Sequence, residues 1–296
     1  MKVAMLIVTF NRQAQLRRTL KQVLTQNFHS IMVVDNASTD CTGTWLANQT
    51  DPRLRVLRLA ENTGGAGGFS AGLAELSQQD GWTHVCLADD DAWPAAGWLD
   101  ALVHEPDADA YCSDVRRPDG RACVMNIPYT RVPYTLWQTL HYAINPAAFR
   151  PAGQRTGVES LTFVGACISR SWLPPLRHAL DERLFLYYDD LSAGAALARQ
   201  GARLVWSPAL RYVHDVPTNA YIGPRKRYYL TRNLLLLHHC RAGSPWSHPV
   251  TLLRLAMQLY ACLRSCPRGP ALRAWMAGVR DGLSAVIPPY RRMTQR

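Results

Sequence analysis

Three carboxylates stand side by side in residues 84–94, "HVCLADDDAWP": an apolar run ends in Asp89, Asp90 and Asp91, and Pro94 follows. Adjacent like charges repel, and a carboxylate near a core costs free energy unless something compensates it. The run is either a solvated turn or the seat of a cation. In extended backbone Asp89 and Asp91 point one way and Asp90 the other. Two carboxylates converging at a strand end suit Mg²⁺ or Mn²⁺ shared with phosphate oxygens. The plainer alternative is an Asp-rich turn in which one of the three caps the chain.

A second acidic pair, Asp189-Asp190 in "LFLYYDDLSAGAALARQG", opens a helical pattern. One acid would serve as a cap, which leaves the other for chemistry. A carboxylate at a helix N-terminus stays ionised, as a general base at neutral pH requires. His214, after "RLVWSPALRYV", reads by itself as a surface or core histidine. The stretch "NTGGAGGFSAG" (residues 62–72) has three readings. Glycines before a helix let backbone N–H groups approach phosphate, or they allow close helix–sheet packing. Gly68-Phe69-Ser70-Ala71-Gly72 also matches the G-x-S-x-G elbow of serine hydrolases, with Ser70 as nucleophile. That elbow needs a strand running straight into the serine, whereas four glycines precede it here. The spacing is not a dinucleotide fingerprint either, since position 70 is not glycine and the motif does not follow the first strand.

The elements around these residues alternate. Val3–Thr9 is a β-prone run, and Gln13–Gln26 has helical periodicity through Leu16, Leu20, Val23 and Leu24. Ile31–Val34, Leu54–Leu59 and His84–Ala88 read as strands. Cys41–Gln49, capped by Thr39 or Asp40, and Phe69–Gln79 read as helices, with Gly64–Gly68 as a glycine loop. This alternation predicts a parallel sheet with helices on both faces, whose ligands bind at the carboxyl ends of the strands. The residues at those ends are Asn11-Arg12, Asp35-Asn36, Asn62 with the glycines, and Asp89–Asp91. Residues 100–154 are rich in proline and turns. Ser160–Ser169 reads as a strand, Leu191–Gln200 as a short helix, Arg203–Val205 as a strand reaching Pro208, and Arg225–Cys240 and Pro249–Leu263 as two further helices.

The 296 residues, 48% hydrophobic and 19% charged, suffice for a full core. The net charge of +11 is concentrated: residues 221–296 hold 13 Lys/Arg against one acid, Asp281. A near-neutral body with a basic end suits an anionic surface. Eight cysteines lie without metal-ligand or C-x-x-C spacing, which fits a reduced, cytoplasmic setting. The opening "MKVAMLIVTFNR" reads as a first strand, not a signal peptide, and no apolar run is long enough to span a membrane.

Together "VTFNR", "VVDNASTD", "NTGGAGGFSAGL", "CLADDDAWP", "FVGACISR", "DERLFLYYDD" and "YYLTRN" resemble the family 2 glycosyltransferases, in the rhamnosyltransferase and galactofuranosyltransferase branch. The matching elements keep the family's order over about residues 3–240. The resemblance implies a GT-A fold: a Rossmann-like, mainly parallel sheet with helices on both faces. It implies a catalytic domain over 1–220, with a nucleotide half at about 1–100 and an acceptor half at about 101–220. A basic helical extension would follow over 221–296. The implied reaction is inverting transfer from a nucleoside diphosphate sugar with Mn²⁺ or Mg²⁺ as cofactor.

By position, the resemblance places Thr9, Asn11 and Arg12 in the nucleotide pocket and Asp35 and Asn36 at the uridine or thymidine. Asn62, Gly65, Gly67 and Gly68 would flank the nucleotide, with Asp90 and Arg232 also on the donor side. Asp89, Asp91 and His214 would bind metal, and Asp190 would be the base. "NTGGAGGF" with "LADDD" points to UDP-galactofuranose as donor, with dTDP-L-rhamnose the alternative. The acceptor expected is a saccharide on a lipid diphosphate, which puts the protein peripherally on the inner face of the cytoplasmic membrane. The aromatic platform of an RNA-binding sheet is missing, so no nucleic acid is expected. Relatives carry an acid, aromatics and arginine after the Asp pair; here Ser192, Ala193, Gly194 and Ala196 stand instead.

Overall fold

Every side chain of Val3–Thr9 is buried, which in a sheet requires cover on both faces; this run is strand β1, at the heart of a nine-stranded sheet. The computed structural model describes residues 1–216 and 222–285. The basic run 290–296 and the last residues of the expected acceptor half lie outside the described residues. After β1 come α1 (Gln13–Leu24), β2 (Ser30–Asp35), α2 (Thr42–Ala47), β3 (Leu54–Arg58), α3 (Gly64–Ser77) and β4 (His84–Asp89). α1 lies on the sheet because Leu16, Leu20 and Val23 recur at helical spacing and are buried together.

The second half runs β5 (Ala92–Pro94), α4 (Trp98–His104), β6 (Ala110–Arg116), α5 (Leu136–Ile144), β7 (Thr156–Gly157), β8 (Ala166–Ser169), α6 (Leu173–Ala179), α7 (Asp189–Arg199) and β9 (Leu204–His214). Three helices follow: α8 (Pro224–Leu236), α9 (His248–Leu263) and α10 (Arg268–Leu283). The strand order is β3-β2-β1-β4-β8-β6-β9-β5, with β7 also on β9. β1 pairs in parallel with β2 and β4, and β6 with β9, while β5, β7 and β8 run antiparallel to their neighbours. The order β3-β2-β1-β4 reverses direction of winding at β1, so a crevice opens at the carboxyl ends of β1, β2 and β4. The mixed sheet and flanking helices are the GT-A architecture.

Four boundaries differ from expectation. The glycines 64–68 are the first turns of α3 rather than a loop. A Cβ on Gly68 would lie 2.5 Å from Val8 Cγ1, and one on Gly72 2.4 Å from Leu6 Cδ1, so these glycines bring the helix onto β1. Strand β8 is shorter than 160–169, because Gly165 at φ +74 breaks the extended run against the Tyr212 ring. Pro208 does not end a strand: the register between β6 and β9 shifts there, and the bulge absorbs the missing N–H. α2 is shorter than 41–49; the Asp40 carboxylate accepts from Thr42 N at 2.9 Å.

Candidate active site

Strand β4 delivers Asp89 at its end, a tight turn carries Asp90 and Asp91, and β5 begins one residue later. β5 pairs with β9 so that Ala92 faces His214 across the ladder. Sheet register thus brings His214 to Asp91, 123 residues away in sequence: Nε2 lies 3.1 Å from Asp91 Oδ1. One ligand atom each from Asp89, Asp91 and His214 falls within 4.8 Å of the others. Burial opposes the His214 imidazolium, but its hydrogen bond to Asp91 and the nearby carboxylates outweigh this and push it up to about 10. Burial likewise opposes the Asp91 charge, yet the bond from His214 and the charges of His214 and Arg12 hold its carboxyl below the usual range. Asp89 is raised, first by burial and then by Asp91.

On the other side of the turn, the Arg12 guanidinium forks between Asp90 Oδ1 at 3.0 Å and Asp91 Oδ2 at 2.6 Å. Thr9 Oγ1 donates to Asp90 Oδ2 at 2.8 Å, and Thr19 Oγ1 donates to the Asp90 carbonyl at 2.7 Å. Asp90 is buried, and burial pushes its carboxyl up to about 7. Asp90 therefore ties the turn to β1 and α1, while Asp89 and Asp91 face His214. His214 Nδ1 donates to Asn126 Oδ1 at 2.7 Å, which fixes the ring so that Nε2 points at the carboxylates. Two carboxylates and an imidazole so oriented match the oxygen and nitrogen donors that Mn²⁺ or Mg²⁺ accept.

The acidic pair opens α7. Asp189 is buried and Asp190 is partly exposed. Asp190 Oδ1 accepts from Leu191 N at 2.7 Å. Burial raises both carboxyls, Asp189 to about 8 and Asp190 to about 6, with the Asp89 charge adding to each. The approach to the pair is strained: Phe185, Tyr187 and Tyr188 all have positive φ, at 60°, 74° and 68°.

Behind this turn stand Arg232 and Asn233 of α8, both fully buried. Asn233 Nδ2 donates to the carbonyls of Leu184, Leu186 and Tyr187 at 2.9, 2.7 and 3.0 Å. Arg232 Nη2 donates to the carbonyls of Arg183 and Leu184 at 2.5 and 2.9 Å, and its Nε to Asn233 Oδ1. Arg232, expected on the donor side, here bonds backbone carbonyls through Nη2, and its Nη1 has no hydrogen-bond partner. Its guanidinium is enclosed between Tyr229 and those carbonyls, and it braces the turn that carries Asp190.

Asn36, expected at the nucleotide, is engaged with the start of α3. Its Nδ2 donates to the Gly64 carbonyl at 2.7 Å and its Oδ1 accepts from Thr63 N at 2.9 Å, so the buried amide pins α3 to the end of β2. Asp35 is fully buried; Oδ1 accepts from Ser38 N, and Oδ2 is paired with the Arg58 guanidinium at 3.8 Å. Asn11, at φ 53°, accepts from Thr39 N at 2.7 Å and joins the ends of β1 and β2. Asn62 Oδ1 accepts from Gly64 N at 2.8 Å. A Cβ on Gly64 would collide with the Phe185 carbonyl at 2.1 Å, so the start of α3 touches the turn before Asp190. Gly65 lies beside Asp189, and Gly67 packs on Thr63. Ser70 sits inside α3 and donates to Glu182 Oε1 at 2.6 Å, so no strand leads into it as an elbow requires. Asn126 escaped the reading of the sequence: it lies in a proline-rich segment with no pattern around it.

The acidic end of β4 lies at the switch point of a mainly parallel mixed sheet, the arrangement of the GT-A fold. The model of the family described as "Glycosyl transferase family 2" matches residues 5–169, and the chain belongs to that family. It is 26% identical over 238 residues to the N-acetylglucosaminyl-diphospho-decaprenol L-rhamnosyltransferase of Mycobacterium tuberculosis, covering 70% of this chain and 74% of that protein. Among solved structures it resembles S. aureus TarS 1–349 (TM-score 0.56, 15% identity, 100% of this chain and 83% of that one). It also resembles GalNAc-T7 with UDP, GalNAc and Mn²⁺ (TM-score 0.57, 13% identity); it covers 96% of this chain and spans 56% of that one. The mannosyltransferase PcManGT from Pyrobaculum calidifontis, with GDP-Man and Mn²⁺, has a TM-score of 0.51 at 21% identity over 99% of this chain and 78% of that one. The chain is a glycosyltransferase. The galactofuranose donor expected from sequence finds no support in the curated relative, which is a rhamnosyltransferase.

Proposed function

We propose that this protein transfers L-rhamnose, with inversion, from a dTDP-linked donor to a saccharide carried on a lipid diphosphate at the cytoplasmic membrane surface. The observation that carries the reading is the convergence of Asp89, Asp91 and His214 at the end of β4. The name of the curated relative supports the sugar and the acceptor class. Residues of the nucleotide half, about 1–100, hold the donor: Arg12 and Asn11 rim the crevice, with Thr9 and Asp90 behind. Asn62 and the start of α3, with Gly65, Gly67 and Gly68, flank it, and the end of β2 at Asp35 lies on the side of the base. Asp89, Asp91 and His214 hold Mn²⁺ or Mg²⁺, which when bound neutralises charge on the departing diphosphate.

Asp190 accepts the proton of the acceptor hydroxyl as its oxygen bonds to the anomeric carbon. The bond from that carbon to the diphosphate oxygen breaks on the opposite side, and the product is inverted. The acceptor half, about 101–220, supplies Asp190 and the floor beneath it. The test is a panel of dTDP- and UDP-sugars with a GlcNAc-diphosphopolyprenol acceptor, read by mass spectrometry of the product. A deoxyhexose mass increment from dTDP-L-rhamnose is expected. Transfer from UDP-galactofuranose alone would reverse the choice of donor, and no transfer from either would refute the reading.

A further inference from the structure

Apart from Met1, Val56 and Val103, the large apolar side chains exposed among the described residues all fall within 124–144 and 222–283. On α5 the exposed stripe is Trp137, Leu140 and Ile144, with Trp137 at 79% and Ile144 at 85%. These residues recur at i, i+3 and i+7, so they share one face. Helix α9 buries Val250, Thr251, Leu255 and Cys262 on one side and leaves Leu252, Met257, Tyr260 and Leu263 exposed on the other. A helix apolar on both sides is ordinarily covered on both sides. The two helices start from one corner. Ser247, the cap of α9, donates from its N to the Tyr134 carbonyl just before α5 at 3.1 Å, and the helices pack on each other.

Basic residues outnumber acids around this surface; its close carboxylate, Glu159, accepts from Val132 N at 2.8 Å. No acid stands between Asp119 and Glu159, nor between Asp215 and Asp281, while arginines recur in both stretches and the second adds Lys226. Arg131 and Arg264, at the margins of α5 and α9, are exposed. Asp281 is buried and receives a hydrogen bond from Tyr228 Oη at 2.9 Å, so it does not offset that charge at the surface. A large exposed apolar patch marks an interface. A second copy of the chain is a poor occupant, because a two-fold interface would set this basic-rimmed face against itself. A surface of anionic lipid matches both properties, with apolar residues entering the headgroup boundary and arginines at the phosphates.

We infer that the outer faces of α5 and α9 form one membrane-seating surface that inserts Trp137, Ile144 and their neighbours into an anionic bilayer. This rests on the reading that the acceptor is lipid-borne, and it assigns the contact to an apolar face inside the fold, half of it in the middle of the chain, rather than to the basic terminus.

The experiment is co-sedimentation of the full-length chain with phosphatidylglycerol and phosphatidylcholine vesicles, for wild type and two double variants, Trp137→Glu/Ile144→Glu and Leu252→Glu/Tyr260→Glu. Val103→Glu, an exposed apolar site outside the two stretches, is the control. The exposed positions leave folding intact, checked by thermal midpoint. Wild type and control should bind phosphatidylglycerol and lose it with rising salt, and each double variant should bind about 100-fold more weakly. Variants that bind as wild type does, or a wild type that binds neither lipid, would overturn the assignment. So would a wild-type dimer in sedimentation equilibrium that the substitutions convert to monomer. Vesicle binding is read without turnover, so failure of the sugar-transfer reading would show separately, as absent transfer to a short-chain soluble acceptor.

Discussion

Replacing Asn233 with leucine should separate the positioning of the base from the binding of the donor. The Asn233 amide bonds three carbonyls of residues 184–187 and accepts from Arg232 Nε. Leucine keeps the volume but removes all of these bonds, leaving the Leu186 and Tyr187 carbonyls unpaired; Leu184 retains Arg232. At about 1 kcal/mol net for each bond, and more for a polar group left buried, the loss is about 3 kcal/mol. For a chain of this size that lowers the thermal midpoint by about 5–10 °C. The left-handed backbone at Phe185, Tyr187 and Tyr188 stores about 1 kcal/mol or more at each residue. That total is of the same order as the bonds holding it, so the turn should relax and carry Asp190 with it. A displacement of about 1 Å at a reacting group costs about 10²-fold in turnover. Nucleotide affinity should stay near wild type, because Asp89 and Asp91 are held by the sheet. The assays are thermal melting, calorimetric titration with nucleotide, and steady-state turnover. A lowered midpoint with kcat within about threefold of wild type would refute the idea that this turn aims the base. A parallel loss of nucleotide binding would show that the damage is general.

Three further outcomes follow from the site. Chelation should abolish turnover and Mn²⁺ restore it, and Asp91→Asn should erase the Mn²⁺-dependent rise in thermal midpoint while Asp90→Asn leaves it, since Asp90 is engaged with Thr9 and Arg12. Burial raises the Asp190 carboxyl to about 6, so the proton-accepting form is present above that pH and is lost as pH falls through it. The kcat profile should drop on its acid side near pH 6; Asp190→Asn should cost about 10²–10⁴ in turnover, and a limb near pH 4 would discard Asp190 as the base. Gly68→Ala should destabilise by about 1–3 kcal/mol in denaturant unfolding, because the new methyl meets Val8 Cγ1 at 2.5 Å on the central strand, which cannot yield.

The alternating elements of the first hundred residues were readable because β1, β2 and β4 are apolar runs almost wholly buried and α1 shows one apolar stripe. The positions of Asp89 and Asp91 followed from that pattern, since a strand's end is where its alternation stops. The pairing of Asp91 with His214 was not derivable from spacing. It depends on the register of β5 against β9 and on a bulge at Pro208, both of which are tertiary facts. For the same reason Pro208 suggested a break where the chain continues as strand. The glycines of 64–72 were legible as permission for close approach, but sequence left open whether a phosphate or the sheet approached. Val8 and Leu6 occupy the space beside Gly68 and Gly72, which answers for those two positions.

Arg232 and Asn233 mark the point where residue chemistry misleads without a partner to constrain it. An arginine beside an asparagine in a transferase invites a phosphate contact, since the guanidinium forks well onto phosphate oxygens. The same donors serve equally well for backbone carbonyls, and a left-handed turn ahead of α7 presents four of them inward. Nothing in "LFLYYDD" announces that turn: phenylalanine and tyrosine disfavour positive φ, and a propensity reading assigns them to extended chain. The strain and its brace therefore belong together. The turn needs buried donors to hold it, and those donors need carbonyls facing them to offset the cost of burial. Each half of that pair is illegible alone, and the function that depends on it, the aim of Asp190, is written in neither segment separately.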